Sequence, residues 1–252
     1  MKLRYTIEGQ GEKIVLIHGW AKNASIKSLQ NLQKELAVLG YQAINLELPG
    51  FGESPQAPSD WGIAEFSQYV TDQIRKLIGN DNYYLFGHSF GGSITAYISA
   101  LLTSKPNKII LCSSAGLRYR SLKAKLLFPV AKVLKLPLKI LPENLAQNLR
   151  KNIYYYIIRE RDYIDSQAKQ AQFQKVVNQD LTEEFKKINI PTLIIWGKDD
   201  KITPVSMAKQ LNSLIPGSEL KIIQGRHGIP LTSPQKVAQL INDFIKEGAT
   251  RP

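Results

Sequence analysis

Tyr83-Tyr84-Leu85-Phe86-Gly87-His88-Ser89-Phe90-Gly91-Gly92-Ser93-Ile94-Thr95-Ala96 passes from a short apolar stretch, through a glycine-flanked serine, into a helix-like pattern that lasts to about Leu102. Residues 83–86 have the length and aromatic content of a buried strand. Gly87 and Gly91 bracket the serine and permit a sharp strand-to-helix turn, because a residue without Cβ lets backbone segments approach closely. Such a turn lifts the Ser89 side chain above the edge of a sheet. The unpaired N–H groups and positive dipole end of the following helix then favour negative charge developing beside it. The pentapeptide alone is a weak signal; set between a strand and a helix it is a strong one.

The same alternation extends on both sides. Apolar runs at residues 14–17, 41–46 and 108–112 are interleaved with helix-like segments ending near Leu39 and covering 63–78 and 90–102. The pattern stops after Ala115-Gly116 and resumes at Pro191, with a strand expected at 192–196, a helix at 204–214 and a strand at 220–223. A final helix over 234–245 follows, with Thr232-Ser233 as its cap. The class is α/β, a mostly parallel central sheet with helices on both faces. Between the two halves lie about seventy residues of helical character with no sheet periodicity. The chain therefore divides into a core, residues 1–116 and 188–252, and an inserted helical lid, residues 117–187.

Composition agrees with one α/β domain carrying an insertion, since 252 residues with 43 % apolar and 21 % charged side chains can bury a sizeable core. The N-terminus has no signal-peptide apolar stretch and no window suits a membrane span, which predicts a cytoplasmic protein. The single cysteine, Cys112, ends an apolar run and is expected to be a buried thiol. Residues 118–187 hold fifteen Lys/Arg against seven Asp/Glu, so +8 of the net +12 lies in the insertion. With no zinc-finger spacing, RNA-recognition signature or helix-turn-helix pattern, no nucleic-acid partner is expected. Neither a metal nor a cofactor is expected. Within the insertion, residues 126–141 mix apolar side chains with Lys132, Lys135 and Lys139, and Pro129 and Pro137 break any long helix. That mixture suits a solvated lid face or a weak contact with an anionic membrane. Ile153-Tyr154-Tyr155-Tyr156-Ile157-Ile158 is apolar enough for the core or for an acyl pocket.

A serine hydroxyl becomes a competent nucleophile when a neighbouring base takes its proton, and histidine suits that task at neutral pH. There are three histidines. His18, in His18-Gly19-Trp20, and His88 sit inside turn motifs and read as structural. His227, in the loop after the last apolar strand, is left as the base. The imidazole needs an acid behind it, and both Asp199 and Asp200 follow the strand at 192–196 at the right edge of the sheet. The turn after residues 14–17 can present the backbone N–H of Trp20 opposite that of Phe90, as the two donors of an oxyanion hole.

Taken in order, His18-Gly19-Trp20, Leu48-Pro49-Gly50-Phe51-Gly52-Glu53-Ser54, Gly87-His88-Ser89-Phe90-Gly91-Gly92, Trp196-Gly197-Lys198-Asp199-Asp200-Lys201-Ile202-Thr203-Pro204 and His227-Gly228-Ile229-Pro230 resemble the signatures of the α/β-hydrolase superfamily. The resemblance covers nearly the whole chain outside the insertion. It implies a serine hydrolase with catalytic Ser89, Asp200 and His227, since the family's acid is usually the third residue after the glycine of the Trp-Gly turn. It likewise implies Trp20 and Phe90 as backbone oxyanion donors and the insertion as a cap over Ser89. The implied partner is a small-molecule acyl substrate, a carboxylic ester before lactones or thioesters; biotin-pathway carboxylesterases share the His-Gly-Trp turn. Cleavage of activated C–C bonds in diketone-like substrates, and a ligand receptor without turnover, are the alternatives on the same fold. Epoxide hydrolases and haloalkane dehalogenases carry an aspartate where this chain has Ser89. Three positions depart from the pattern: Glu47 where aspartate is common, Ala21 where glycine is frequent, and Arg226 where glycine is usual.

Overall fold

A computed structural model describes residues 3–102, 106–118 and 167–247. In chain order the elements are β1 (Arg4–Glu8), β2 (Glu12–Ile17), α1 (Gln30–Val38), β3 (Tyr41–Glu47), α2 (Ile63–Ile78), β4 (Tyr83–His88), α3 (Phe90–Leu101) and β5 (Lys108–Cys112). They continue with α4 (Gln167–Asn178), α5 (Thr182–Lys187), β6 (Thr192–Gly197), α6 (Val205–Leu214), β7 (Glu219–Ile223), α7 (Ile229–Thr232) and α8 (Pro234–Glu247). The strands make one seven-stranded sheet in the order β1-β3-β2-β4-β5-β6-β7. Only β1 runs antiparallel, against β3. The rest is parallel, as the strand and helix alternation predicts.

The central strands are apolar at almost every position because both faces are covered. On β2, Val15 and Ile17 join one core while Ile14 and Leu16 join the other. On β6, Ile194 and Trp196 face the first, and Leu193 and Ile195 the second. The first layer is closed by α2, α3, α5 and α6, through side chains such as Phe66, Ile94, Phe185 and Leu211. The second is closed by α1 and α8, through Leu32, Leu36, Val237 and Ile241. Cys112 lies in the second layer and is fully buried, which pushes its thiol pKa well up.

The site is located by the strand order. From β2 the chain moves to one side to make β3 and then returns past β2 to make β4. Loops leaving the carboxyl ends of β2 and β4 therefore diverge, opening a crevice between them. The register sets Ile17 of β2 beside Gly87 of β4, so the His18 loop and the Ser89 turn leave the sheet as neighbours.

Two elements depart from the sequence reading: the short α7, which takes in the Thr232 expected as part of the final helix's cap, and a strand ahead of Ile14, where the first strand is expected to begin. That strand is β1, and its Arg-Tyr-Thr-Ile-Glu sequence is polar because an edge strand here is half in water. In the expected lid, α4 and α5 are helical and packed on the core, while Lys132, Lys135, Lys139 and residues 153–158 lie outside the described residues. Among the described residues no helix is long and apolar enough to cross a membrane.

Candidate active site

Ser89 occupies the turn between β4 and α3 with φ 53° and ψ −113°, a conformation that non-glycine residues seldom adopt. The surrounding backbone imposes it. Ser89 N–H donates to Cys112 O at 3.0 Å, and Ser89 O accepts from Gly92 N at 2.9 Å and Ala115 N at 3.0 Å. The flanking glycines are required by close approach: a methyl group on Gly87 would lie 2.2 Å from Gly91 O, and one on Gly91 2.3 Å from Ile17 O. His88 and Phe90 are buried while the serine between them is half-buried, so the turn presents Ser89 at the surface of the crevice.

The loop after β2 lies against this turn, with a methyl built on Gly19 only 3.0 Å from Ser89 Cβ. His18 anchors the loop, donating from Nδ1 to Gly19 O at 2.7 Å and accepting Leu48 N–H on Nε2 at 3.1 Å. Burial depresses its pKa, which keeps the ring neutral and able to accept. The Trp20 ring packs edge-on against Phe51 and Phe90, with centroids 5.0 and 5.2 Å away. The backbone N–H groups of Trp20 and Phe90 have no acceptor among the described residues. Glu47, which stands where the family commonly has aspartate, is a buried clasp. Its carboxylate accepts from Ile26 N at 2.9 Å, Glu53 N at 2.7 Å and Ser54 N at 3.0 Å, tying down the loop behind Trp20.

On the other side of Ser89, the β6–α6 turn carries the two candidate acids, and the structure separates them. Asp200 is buried and lies 2.8 Å from His227, Oδ2 to Nδ1. Its Oδ1 accepts Ile202 N and Thr203 N at 2.9 Å each, and Oδ2 also accepts Thr203 Oγ1 at 2.8 Å. Burial opposes ionisation of this carboxyl, but the bond and charge of His227 and the two Thr203 donors outweigh it and hold its pKa below the usual value. Asp199 is exposed and bonds Gln224 Nε2 at 2.6 Å. Arg226 is also exposed.

His227 is held a second way. Its carbonyl accepts His88 Nε2–H at 2.9 Å, and the two rings lie 5.0 Å apart. Burial first, and then the neighbouring His227, push the His88 pKa down to about 3, so His88 remains a neutral donor. The residue beside the serine thus grips the loop that carries the histidine. Ser89 Oγ itself makes no hydrogen bond among the described residues. Asp200 and His227 are brought into contact, and Ser89 shares their sheet edge without bonding either.

Thr203 and the His88 bridge are absent from the sequence reading. The spacing Asp200-x-x-Thr203 carries a signal for the former, since an aspartate that accepts amides two and three residues ahead is a common way to close a turn. Nothing in the sequence pairs His88 with a carbonyl 139 positions away. Among the described residues no group of His, Cys, Asp and Glu has the arrangement of a metal site.

Comparison with known proteins places the chain in a family. A family model described as the alpha/beta hydrolase fold matches residues 13–234. The chain belongs to that family. It is 27 % identical over 253 residues to the uncharacterized hydrolase YugF of Bacillus subtilis, covering 93 % of this chain and 90 % of that protein. It is 25 % identical over 261 residues to monoacylglycerol lipase ABHD6 of Mus musculus, covering 94 % of this chain and 76 % of the lipase. The solved structure of a membrane phospholipase A, a bacterial virulence factor, superposes with a TM-score of 0.74 at 22 % identity, covering 99 % of this chain and 84 % of that one. The relatives named here are hydrolases.

Proposed function

We propose that the chain is a serine hydrolase that cleaves carboxylic esters, with lactones or thioesters as kindred substrates, through an acyl-enzyme on Ser89. The observation that carries this reading is the buried 2.8 Å Asp200–His227 bond at the sheet edge where the backbone forces Ser89 outward. His227 Nε2 takes the Ser89 proton as Oγ attacks the acyl carbon, while Asp200 fixes the Nδ1–H tautomer and stabilises the imidazolium. The free N–H groups of Trp20 and Phe90 receive the oxyanion. The imidazolium then protonates the departing alkoxide, and the alcohol leaves. Water, deprotonated by the now neutral His227, attacks the acyl-serine; the acid departs and Ser89 regains its proton. Ser89 and His227 leave the same edge of the sheet, and catalytic pairs often tighten into a hydrogen bond when substrate arrives. The curated relative named as a monoacylglycerol lipase supports an ester as substrate.

Residues 117–187 are read as the cover of this site. Support comes from α4, where Phe173 packs 5.6 Å from the Trp20 ring and Gln172 Nε2 donates to Pro58 O at 2.7 Å. The basic stretch 126–141, which lies outside the described residues, remains a proposed contact with anionic membrane.

The test is turnover of p-nitrophenyl esters of graded acyl length, with lactones alongside, by the purified protein and by Ser89→Ala. Multiple turnovers are expected, falling on the order of 10⁶-fold in the variant. Full activity in Ser89→Ala would remove the nucleophile, and one equivalent of product per chain would favour the receptor alternative.

A further inference from the structure

Behind the Asp200–His227 pair stands a side chain that the chemistry above leaves unused. Thr203 is 5 % exposed, and its backbone is fixed at both ends. Its N–H donates to Asp200 Oδ1 at 2.9 Å, and its carbonyl accepts the indole N–H of the buried Trp196 at 2.7 Å. The hydroxyl therefore cannot drift. Oγ1 lies 2.8 Å from Asp200 Oδ2, 3.2 Å from His227 Nδ1 and 3.3 Å from Ser113 O. A hydroxyl carries one proton and two lone pairs. Its proton goes to Oδ2 or to the Ser113 carbonyl, and a lone pair stays available to the imidazole. His227 Nδ1–H thus has two acceptors, one charged and one neutral, on two atoms whose positions are separately anchored.

We propose that Thr203 is a positioning residue for the hydrolysis, sharing the Nδ1–H of His227 with Asp200 so that the opposite nitrogen is aimed at Ser89. The proposal rests on the reading of Ser89, Asp200 and His227 as a triad. Two acceptors confine the direction of an N–H more narrowly than one. With the hydroxyl gone, the ring turns wholly toward Oδ2, and Nε2 is aimed at Ser89 in fewer molecules. A Thr203 that merely closed the turn would act through its backbone N–H, which every substitution retains.

Thr203→Val removes the hydroxyl at nearly constant shape, Thr203→Ser restores it without the methyl, and Thr203→Ala removes both. For Thr203→Val, kcat on a short-chain p-nitrophenyl ester should fall roughly tenfold with KM held within about twofold, the signature of a group that never touches substrate. The His227 Nδ1–H proton resonance, downfield of the amide region, should move further downfield as its hydrogen bond becomes single. Thr203→Ser should return both readings toward those of the unmodified protein. Unchanged kcat with an unmoved resonance in Thr203→Val, or a serine variant as impaired as the valine, would overturn the proposal. If near-ultraviolet circular dichroism shows that the valine variant does not fold, alanine against serine supplies the same contrast, and identical behaviour of those two overturns it. The resonance needs no turnover, so it is read independently of whether the protein hydrolyses esters, which Ser89→Ala decides.

Discussion

Replacing Ser89 by glycine should make the protein more stable as it becomes inactive. Ser89 is held at φ 53° and ψ −113° by bonds at its N–H and its carbonyl, and the side chain itself makes no hydrogen bond among the described residues. A non-glycine residue in such a region costs about 1–3 kcal/mol. Glycine relieves that strain but loses more backbone freedom on folding, which offsets about 0.5–1 kcal/mol. The net gain is therefore about 1 kcal/mol, which for a chain of this size raises Tm by roughly 2–4 °C. Ser89→Ala is the control, because it abolishes the hydroxyl and keeps the Cβ that is strained. Thermal and urea denaturation of the three proteins, run beside an ester assay, should place Ser89→Gly above both others in stability and both variants at background activity. Coincident melting of the glycine and alanine variants would show that the turn is not strained. A glycine variant less stable than alanine would show that the serine side chain stabilises the fold in some other way.

Asp200→Asn should lower kcat on the order of 10⁴-fold, because an amide at this position sets its NH2 against two of the four donors and releases the imidazole tautomer, whereas Asp199→Asn should stay within about twofold; equal losses in the two would reverse the assignment of the acid. Acid sensitivity should follow the buried histidines. His88 changes from 6.5 when unfolded to about 3 when folded, so the unfolded chain binds the proton first and stability declines as pH falls through that window. The loss from His88 alone is about 2 kcal/mol at a pH of about 5, with His18 acting in the same direction and Asp200 contributing only below a pH of about 4. Urea unfolding at pH about 7.5 and about 5 should show the decline, and His88→Gln should reduce it; a stability that does not change between the two would contradict a neutral, buried His88.

The sheet was legible because its central strands are buried on both faces, so each reads as an unbroken apolar run between helix-length segments. β1 was not, since Arg4–Glu8 sits at an edge where only alternate positions need be apolar and charge at the ends is tolerated. The sharp turn at Ser89 was legible from the glycines it requires, and His227 was singled out by the scarcity of histidine. The choice of Asp200 over Asp199 came from the family resemblance alone, because both follow the same strand. It depends on which side chain points under the sheet edge, and here the amides of Ile202 and Thr203 turn Asp200 inward. Closure of the turn by Thr203 had a signal in the spacing Asp200-x-x-Thr203, whereas its approach to His227 and the His88 bridge were out of reach. Each acts across a gap between loops whose separation is set by the packed sheet, and no periodicity along the chain encodes it.

The glycines around Ser89 also bear on how such a protein can diverge. At Gly87 and Gly91 the nearest obstruction to a side chain is a main-chain carbonyl, that of Gly91 or Ile17, even though the Thr95 hydroxyl also crowds Gly87. A compensating substitution elsewhere can shrink a side chain, but it cannot shrink a carbonyl. The turn is therefore inherited whole, with no series of small, tolerated steps leading away from it. Variation is channelled into the loops and helices that border the crevice, where neighbours can yield one at a time. A chain built this way can reshape the border of its crevice through many viable intermediates while the Ser89 turn stays fixed.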